Sequence, residues 1–380
     1  MIYLNKILAV LLQKVEQISS VPQAIFNQTD MNLVLNMLKE INHAIEQTAG
    51  EKDMSALLDR AEALISDLDI KYGDRAKGFM ALAEAADIVS TQLQEQYGSK
   101  NSSAISGLST GFIALDNLTC GLQRGELIVV AGRPGLGKTA FAMNLVENAG
   151  VSLNLPVAVF SIETKASVLT QRMVCSLGRI SSQKMKSGRM EDNDWLHYTE
   201  AVKRMSKVPV FIDDTPNLTV ADIRERVLKL FELTGGMSLV VIDNLQLLKG
   251  SARFEESDNR PAEMAEISHD LKRLARELDV PIVVVSQVNR SIDSRDNRRP
   301  KLSDLSESGA LESDADLVMF IYRDEVYNKN TIDKRVAEAI IAKQRNGVTG
   351  TVRIRYDPDC VRFDNLAEDV SLPPELAALK

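Results

Sequence analysis

"VVAGRPGLGKTAF", residues 129–141, runs from a β-branched apolar stretch straight into glycines and then a lysine. Within it, Gly132 to Thr139 reads G-R-P-G-L-G-K-T and satisfies Gly-x4-Gly-Lys-Ser/Thr, the loop that cradles phosphates. Gly132, Gly135 and Gly137 let backbone N–H groups converge on anionic oxygens with no side chain in the way. A helix starting near Lys138 adds its positive N-terminal end. Lys138 is expected to neutralise the β- and γ-phosphates of ATP or another nucleoside triphosphate, and the Thr139 hydroxyl to ligate Mg²⁺. Arg133, Pro134, Leu136 and Ala140 complete the nucleotide-binding stretch. The context fits, with a predicted strand over 127–131 before the loop and an apolar helix after it.

Outward from the loop, short β-branched runs alternate with helical patterns: "PVAVFSIE", "VPVFIDD", "SLVVIDN", "PIVVVSQ", "DLVMFIY" and "VAEAIIAKQ". Continuously apolar strands separated by helices predict a mainly parallel sheet covered on both faces, an α/β fold. Thr219 is placed to cap the helix that Gly235 ends, and "TVRIRYDPDCVRF" predicts a closing antiparallel pair. The first hundred residues instead read as helix, and "GSKNSSAISG", residues 98–107, is the best boundary. Residues 1–50 predict a helical hairpin, 51–70 an amphipathic helix, 71–106 a helix and polar connection, 107–370 the α/β domain and 371–380 a tail. The stripe Met54, Leu57, Leu58, Ala61, Leu64, Ile65 and Leu68 suits an ordinary core helix or one that docks on a neighbour.

The composition narrows the classes. The net charge of −8 argues against wholesale attraction to nucleic acid, though a local basic lining can still provide it. Three scattered cysteines and three scattered histidines offer neither a disulfide framework nor a zinc site, and a reducing cytoplasm fits best. The apolar run 7–12 is too short to span a membrane.

Three strand ends carry further chemistry. "SLVVIDN" places Asp243 where a carboxylate holds magnesium through water. Asp213 and Asp214 of "FIDD" point to opposite faces of an extended chain and read as a solvated strand end. Glu163, just past "VFSI", is placed to orient or deprotonate an attacking water, although on the residues alone a surface glutamate reads equally well. Gln287 ends "VVVSQ" as an uncharged group that can sense the γ-phosphate by hydrogen bonding.

Together with the loop, "FSIE", "VIDNLQLL", "DVPIVVVSQVNR", "LSESGALESDADLVMFIYR" and "IIAKQRNGVTGTVRIRY" follow one another in the order and spacing of the bacterial and phage replicative DNA helicases of the DnaB type, which this chain resembles over about 57–363. The resemblance implies a RecA-like P-loop motor domain preceded by a small all-helical region and linker helix. It implies a homohexameric ring that hydrolyses NTP at subunit interfaces, moves on single-stranded DNA and works with a helicase loader. Under it Glu163 is the catalytic carboxylate, Asp243 the magnesium anchor and Gln287 the coupling sensor. Lys343 and Arg345 of "AKQRNG", otherwise a solvated edge, become the cations that reach the neighbour's γ-phosphate. Helix 54–68 becomes the linker that docks on the adjacent subunit.

For the DNA path, the resemblance turns the charged loop 289–301 from an ordinary solvated loop into a lining of the ring's hole. Arg290 and the trio Glu307, Ser308 and Gly309 become its DNA contacts. The loop has no aromatic residues, so backbone tracking with little sequence preference is expected. Two departures stand out: Ser306 replaces an arginine usual in the family, and only about fifty residues precede the linker helix, which sets primase binding in doubt. The alternative function is a RecA-type DNA-binding ATPase that forms filaments without unwinding. A binding-only remnant is the third possibility, which intact Lys138, Glu163 and Asp243 argue against.

Overall fold

The run that ends in the phosphate loop forms β1 (Leu127–Gly132), every residue of it buried. A computed structural model describes residues 82–98, 105–254, 259–305 and 309–366. These fall into two units divided between Lys100 and Asn101. The described part of the first is a single helix, α1 (Leu82–Gly98), with Leu82, Val89 and Leu93 exposed. The expected hairpin 1–50 and linker helix 51–70 lie outside the described residues.

In the second unit β1 is followed by α3 (Lys138–Val146), after the short α2 (Ile113–Thr119) that precedes it. Then come β2 (Val157–Ser161), α4 (Ala166–Gly178), α5 (Ser182–Ser187), α6 (Asp192–Met205) and β3 (Val210–Asp213). Next are α7 (Val220–Thr234), β4 (Leu239–Asp243), α8 (Arg260–Leu278) and β5 (Ile282–Gln287). The chain finishes with α9 (Gly309–Asp314), β6 (Leu317–Tyr322), α10 (Asp324–Tyr327), β7 (Val336–Gln344), β8 (Gly350–Asp357) and β9 (Arg362–Asp364). The nine strands make one sheet in the order β3-β2-β4-β5-β1-β6-β7-β8-β9. Neighbours are parallel from β3 to β6 and antiparallel from β6 to β9, so the expected parallel sheet and antiparallel closing pair are both present.

Alternation along β1 sends Leu127, Val129 and Ala131 into one core, with Ile223 and Val227 of α7 and Leu271 and Leu274 of α8. Ile128 and Val130 enter the other, with Phe141 and Leu145 of α3 and Leu169 and Met173 of α4. Both faces being covered explains why the central strands lack alternation, whereas β7, at the antiparallel side, shows it. The helix ends follow local chemistry. Thr219 and Asp222 form a reciprocal capping box at the start of α7, and Gly235, left-handed with φ 73°, ends it. All three cysteines are free.

The far end of α3 is stitched to β9 through a buried carboxylate. Glu147, 3% exposed, accepts hydrogen bonds from Asn144 Nδ2 (3.2 Å), Ser176 Oγ (3.0 Å) and the Arg362 guanidinium. Phe363 N–H donates to Asn144 Oδ1 at 2.8 Å, closing the same seam. Burial raises the Glu147 carboxyl above its ordinary value, against the pull of Arg362. Glu147→Ala removes a buried charged acceptor while Arg362 keeps Asp364 (3.0 Å) and Ser176 Oγ (2.8 Å), so it is expected to cost about 1–3 kcal/mol in urea unfolding. The apolar double replacement Glu147→Leu with Arg362→Met should recover most of that loss. A single variant as stable as the parent chain overturns this account.

Candidate nucleotide site and nucleic-acid face

The parallel strands deliver their C-terminal ends to one edge of the sheet, and the phosphate loop lies there. Gly135 (φ 81°) and Gly137 (φ 99°) hold left-handed backbone that favours glycine, and a Cβ on Gly137 would stand 2.9 Å from the Phe363 ring. A Cβ on Gly132 would come within 2.8 Å of the Ile321 carbonyl oxygen. Leu136, fully buried, anchors the middle of the loop, while Pro134 and Gly135 are exposed.

Lys138 opens α3 and its Nζ donates to the Arg133 carbonyl at 3.2 Å. Burial lowers its pKa, opposed by the nearby carboxylates of Asp243 and Glu163. Asp243 ends β4, 3% exposed, and neither carboxylate oxygen has a hydrogen-bond partner. Burial raises its pKa, and the Thr139 hydroxyl offsets this in part from a position short of a well-formed hydrogen bond. A buried carboxylate with two orphaned oxygens beside a hydroxyl fits a hard cation. Among the described residues no group of three or more His, Cys, Asp or Glu forms a cation cage of its own. Asp243 and Thr139 offer two protein oxygens to such a cation, a set that phosphates and water would have to complete.

Glu163 follows β2 and is exposed at the same edge. The backbone N–H of Ile162 donates to the Asp243 carbonyl at 2.7 Å, fixing the loop of one carboxylate to the strand end of the other. Asn244 Nδ2 donates to Glu163 Oε2 at 2.5 Å, and Asn244 is itself buried. The sequence reading missed Asn244; its signal is an amide directly after the strand-ending aspartate. Gln287 ends β5 opposite Gly132 in the β1–β5 register. The loop glycines, Lys138, Thr139, Asp243, Glu163 and Gln287 therefore gather at one edge. Asp213 and Asp214 do other work: Asp213 pairs with Arg226, and Asp214 accepts the Ala166 N–H that opens α4.

Lys343 and Arg345 stand elsewhere. Because β7 runs antiparallel to β6, Gln344 pairs with Leu317 and Lys343 with Val318, at the start of β6. Leu317 in turn pairs with Ile128, four residues before Gly132. Both cations thus lie at the edge opposite their own phosphate loop, roughly 13 Å of strand away. The Lys343 ammonium donates to the carbonyls of Glu312 (2.5 Å) and Ser313 (3.0 Å), and Arg345 Nη2 donates to the same Ser313 carbonyl at 2.8 Å. The two side chains share one direction, as expected. Arg345 also pairs with Asp316 at 3.2 Å, a 4%-exposed carboxylate that further receives Lys272 Nζ (2.6 Å) and Leu127 N–H (2.8 Å). Asp316 was not singled out by sequence.

The charged loop after β5 is more internally neutralised than its composition implied. Arg295 pairs with Asp304, Arg299 with Glu338, and Arg298 lies over the Tyr327 ring. Arg290 opens a 3₁₀ turn (Arg290–Ser294) and is exposed with no partner among the described residues. Gly309 is exposed at the start of α9, with open space where a Cβ would be. Ser306, Glu307 and Ser308 lie outside the described residues. No helix among those described is long and apolar enough to cross a membrane.

Residues 107–365 match the model of the DnaB-like helicase C terminal domain. The chain is 44% identical over 319 residues to the replicative DNA helicase DnaB of Haemophilus influenzae, covering 83% of this chain and 68% of that protein. It is 41% identical over 327 residues to the replicative DNA helicase DnaB of Geobacillus stearothermophilus, covering 85% and 70%. Among solved structures, one of an isolated ATPase domain superposes with a TM-score of 0.71 at 34% identity, over 76% of this chain and all of that one. A DnaB-like replicative helicase, described with its interactions with primase, superposes with a TM-score of 0.69 at 30% identity, over 89% of this chain and 77% of that one. The expected doubt over primase finds no support in that likeness.

Proposed function

The chain belongs to the DnaB-like helicase family, and from that premise we propose how its own residues carry out the work of a replicative DNA helicase. It is an ATP-dependent helicase of that family, with a RecA-like motor domain. The parts are a homohexameric ring, single-stranded DNA in its hole and one nucleotide site at each interface between copies. The single observation that carries this is the opposite placement of the phosphate loop and the Lys343/Arg345 pair on one sheet. A chain built so cannot bring its own cations to its own loop, whereas a neighbour presenting its far edge can.

Each group then has one task. The loop from Gly132 to Ala140 binds the phosphates through backbone N–H groups, with Arg133, Pro134 and Leu136 shaping it and Lys138 countering the β/γ charge. Thr139 and Asp243 would hold Mg²⁺, which when bound neutralises charge on the β/γ oxygens. Glu163 accepts the proton of the attacking water, and the Asn244 amide fixes which oxygen faces it. Gln287, beside Gly132, senses the state of the γ-phosphate. Lys343 and Arg345 stabilise the transition state in the next subunit's site. In this reading residues 107–370 make up the motor, 71–106 the connection to it and 51–70 the link to the neighbouring subunit. A loader and primase complete the partner set, and a cytoplasmic location suits the reaction.

On the DNA side, the contacts to the strand are assigned to Arg290 and to Glu307, Ser308 and Gly309. Arg290→Ala is expected to weaken binding equally for oligo(dT) and mixed sequences, and to lower the slope of log K against log salt by about 0.7, one phosphate on a single strand. A sequence-selective loss with an unchanged slope rules out backbone tracking. The helicase itself is tested by release of a labelled strand from a forked duplex with ATP and Mg²⁺, alongside electron microscopy. Filaments without strand release would favour the RecA-type alternative.

A further inference from the structure

One residue of the phosphate loop has a side chain that leaves the nucleotide site altogether. Arg133 turns its guanidinium onto Asp293 with two hydrogen bonds, Nε to Oδ1 at 3.2 Å and Nη2 to Oδ2 at 2.7 Å. A third contact, Nη1 to the Val288 carbonyl at 3.5 Å, ties it to the chain leaving β5. The Arg133 side chain is 17% exposed in this arrangement. Its backbone carbonyl, meanwhile, accepts the Lys138 ammonium. Asp293 belongs to the same 3₁₀ turn as Arg290. Between them Ile292 is fully buried in the core, so the turn has one fixed point, with Arg290 before it and Asp293 after it in the chain. Other arginines of this loop pair within it or with β7: Arg295 with Asp304 and Arg299 with Glu338.

We infer that Arg133 and Asp293 are a positioning pair that transmits the state of the phosphate loop to the DNA-facing turn. A bound β/γ-phosphate competes for the Lys138 ammonium and withdraws it from the Arg133 carbonyl. The backbone of Arg133 is then released at one end while its planar fork stays clamped to a carboxylate at the other. Movement of the loop is delivered to Asp293 and, past the buried Ile292, to Arg290. The pair touches neither phosphate nor DNA through these groups; it sets how strongly one affects the other. This inference rests on the reading of the Arg290 turn as a DNA contact.

The test uses the full chain and a fluorescein-labelled oligo(dT), with anisotropy measured with and without a non-hydrolysable ATP analogue. The parent protein is expected to show about a tenfold difference in DNA affinity between the two states, within the usual range of allosteric coupling. Asp293→Asn keeps the shape and removes the charge-assisted fork. It should bring that ratio to within about twofold of one, and leave DNA-free ATP hydrolysis within about twofold of the parent. Asp293→Glu, which keeps a two-oxygen acceptor, should restore most of the ratio and guards against a variant that merely misfolds. An Asp293→Asn ratio equal to that of the parent, whatever its size, overturns the relay. Arg290→Ala measured in parallel separates the two readings. Unchanged affinity and salt slope there remove Arg290 as a DNA contact, while the Asp293→Asn ratio still decides the relay.

Discussion

Arg345→Ala is expected to assemble and bind nucleotide like the parent protein, yet hydrolyse it about a thousandfold more slowly, the scale of cations supplied across an interface. Binding survives because the loop from Gly132 to Thr139 is at the other edge of the sheet. The fold survives because Asp316, the buried partner that Arg345 leaves behind, retains Lys272 Nζ and the Leu127 N–H. The decisive measurement is mixing. Lys138→Ala subunits have a working Arg345 and a dead loop; Arg345→Ala subunits have the reverse. Each alone should be inactive, whereas rings containing both have some interfaces in which an intact loop faces an intact arginine, and ATPase should return in part. Strand release should recover less, since few adjacent interfaces fire in turn. If mixed rings form and ATPase stays at zero, Arg345 acts within its own subunit or not at all.

Glu163→Gln should lower hydrolysis by about 10²–10⁴-fold with nucleotide and DNA binding intact, the range for loss of a general base. The glutamine keeps the size and can still accept from Asn244 through its carbonyl oxygen, so the change falls on proton acceptance and not on geometry. Asn244→Ala complements it. Without the amide that holds Oε2, the carboxylate remains but its direction is free, and a smaller fall in turnover with unchanged nucleotide affinity is expected. Parent-like turnover in Glu163→Gln removes Glu163 from the mechanism.

What was legible in the sequence was what local pattern determines. Gly132 to Thr139, the apolar strands ending in Asp243 and Gln287, the Thr219 cap and the Gly235 stop each depend on near neighbours, and all stand where expected. What was not legible depends on residues far apart in the chain. Asn244 meets Glu163 across 81 positions and Arg133 meets Asp293 across 160, and neither pair leaves a mark in spacing or periodicity. Charge counting misled in the loop 289–301, because Glu338 and Tyr327, which take up Arg299 and Arg298, come from elements later in the chain. Arg290 emerges from that run by subtraction, as an exposed arginine for which the fold provides no counter-charge among the described residues.

The reversal of direction at β7 has a consequence for a circular machine. In the ring proposed above, each copy would contribute a socket at one rim of its sheet and a plug at the other, so the number of working engines would equal the number of unbroken joints, not the number of molecules. A closed circle has one engine for every copy. Parting one joint to thread a strand through costs one engine while every copy stays intact, and a free copy in solution has none. Under that proposal fuel consumption would be tied to closure, and a circle not yet shut around its track would idle at the gap.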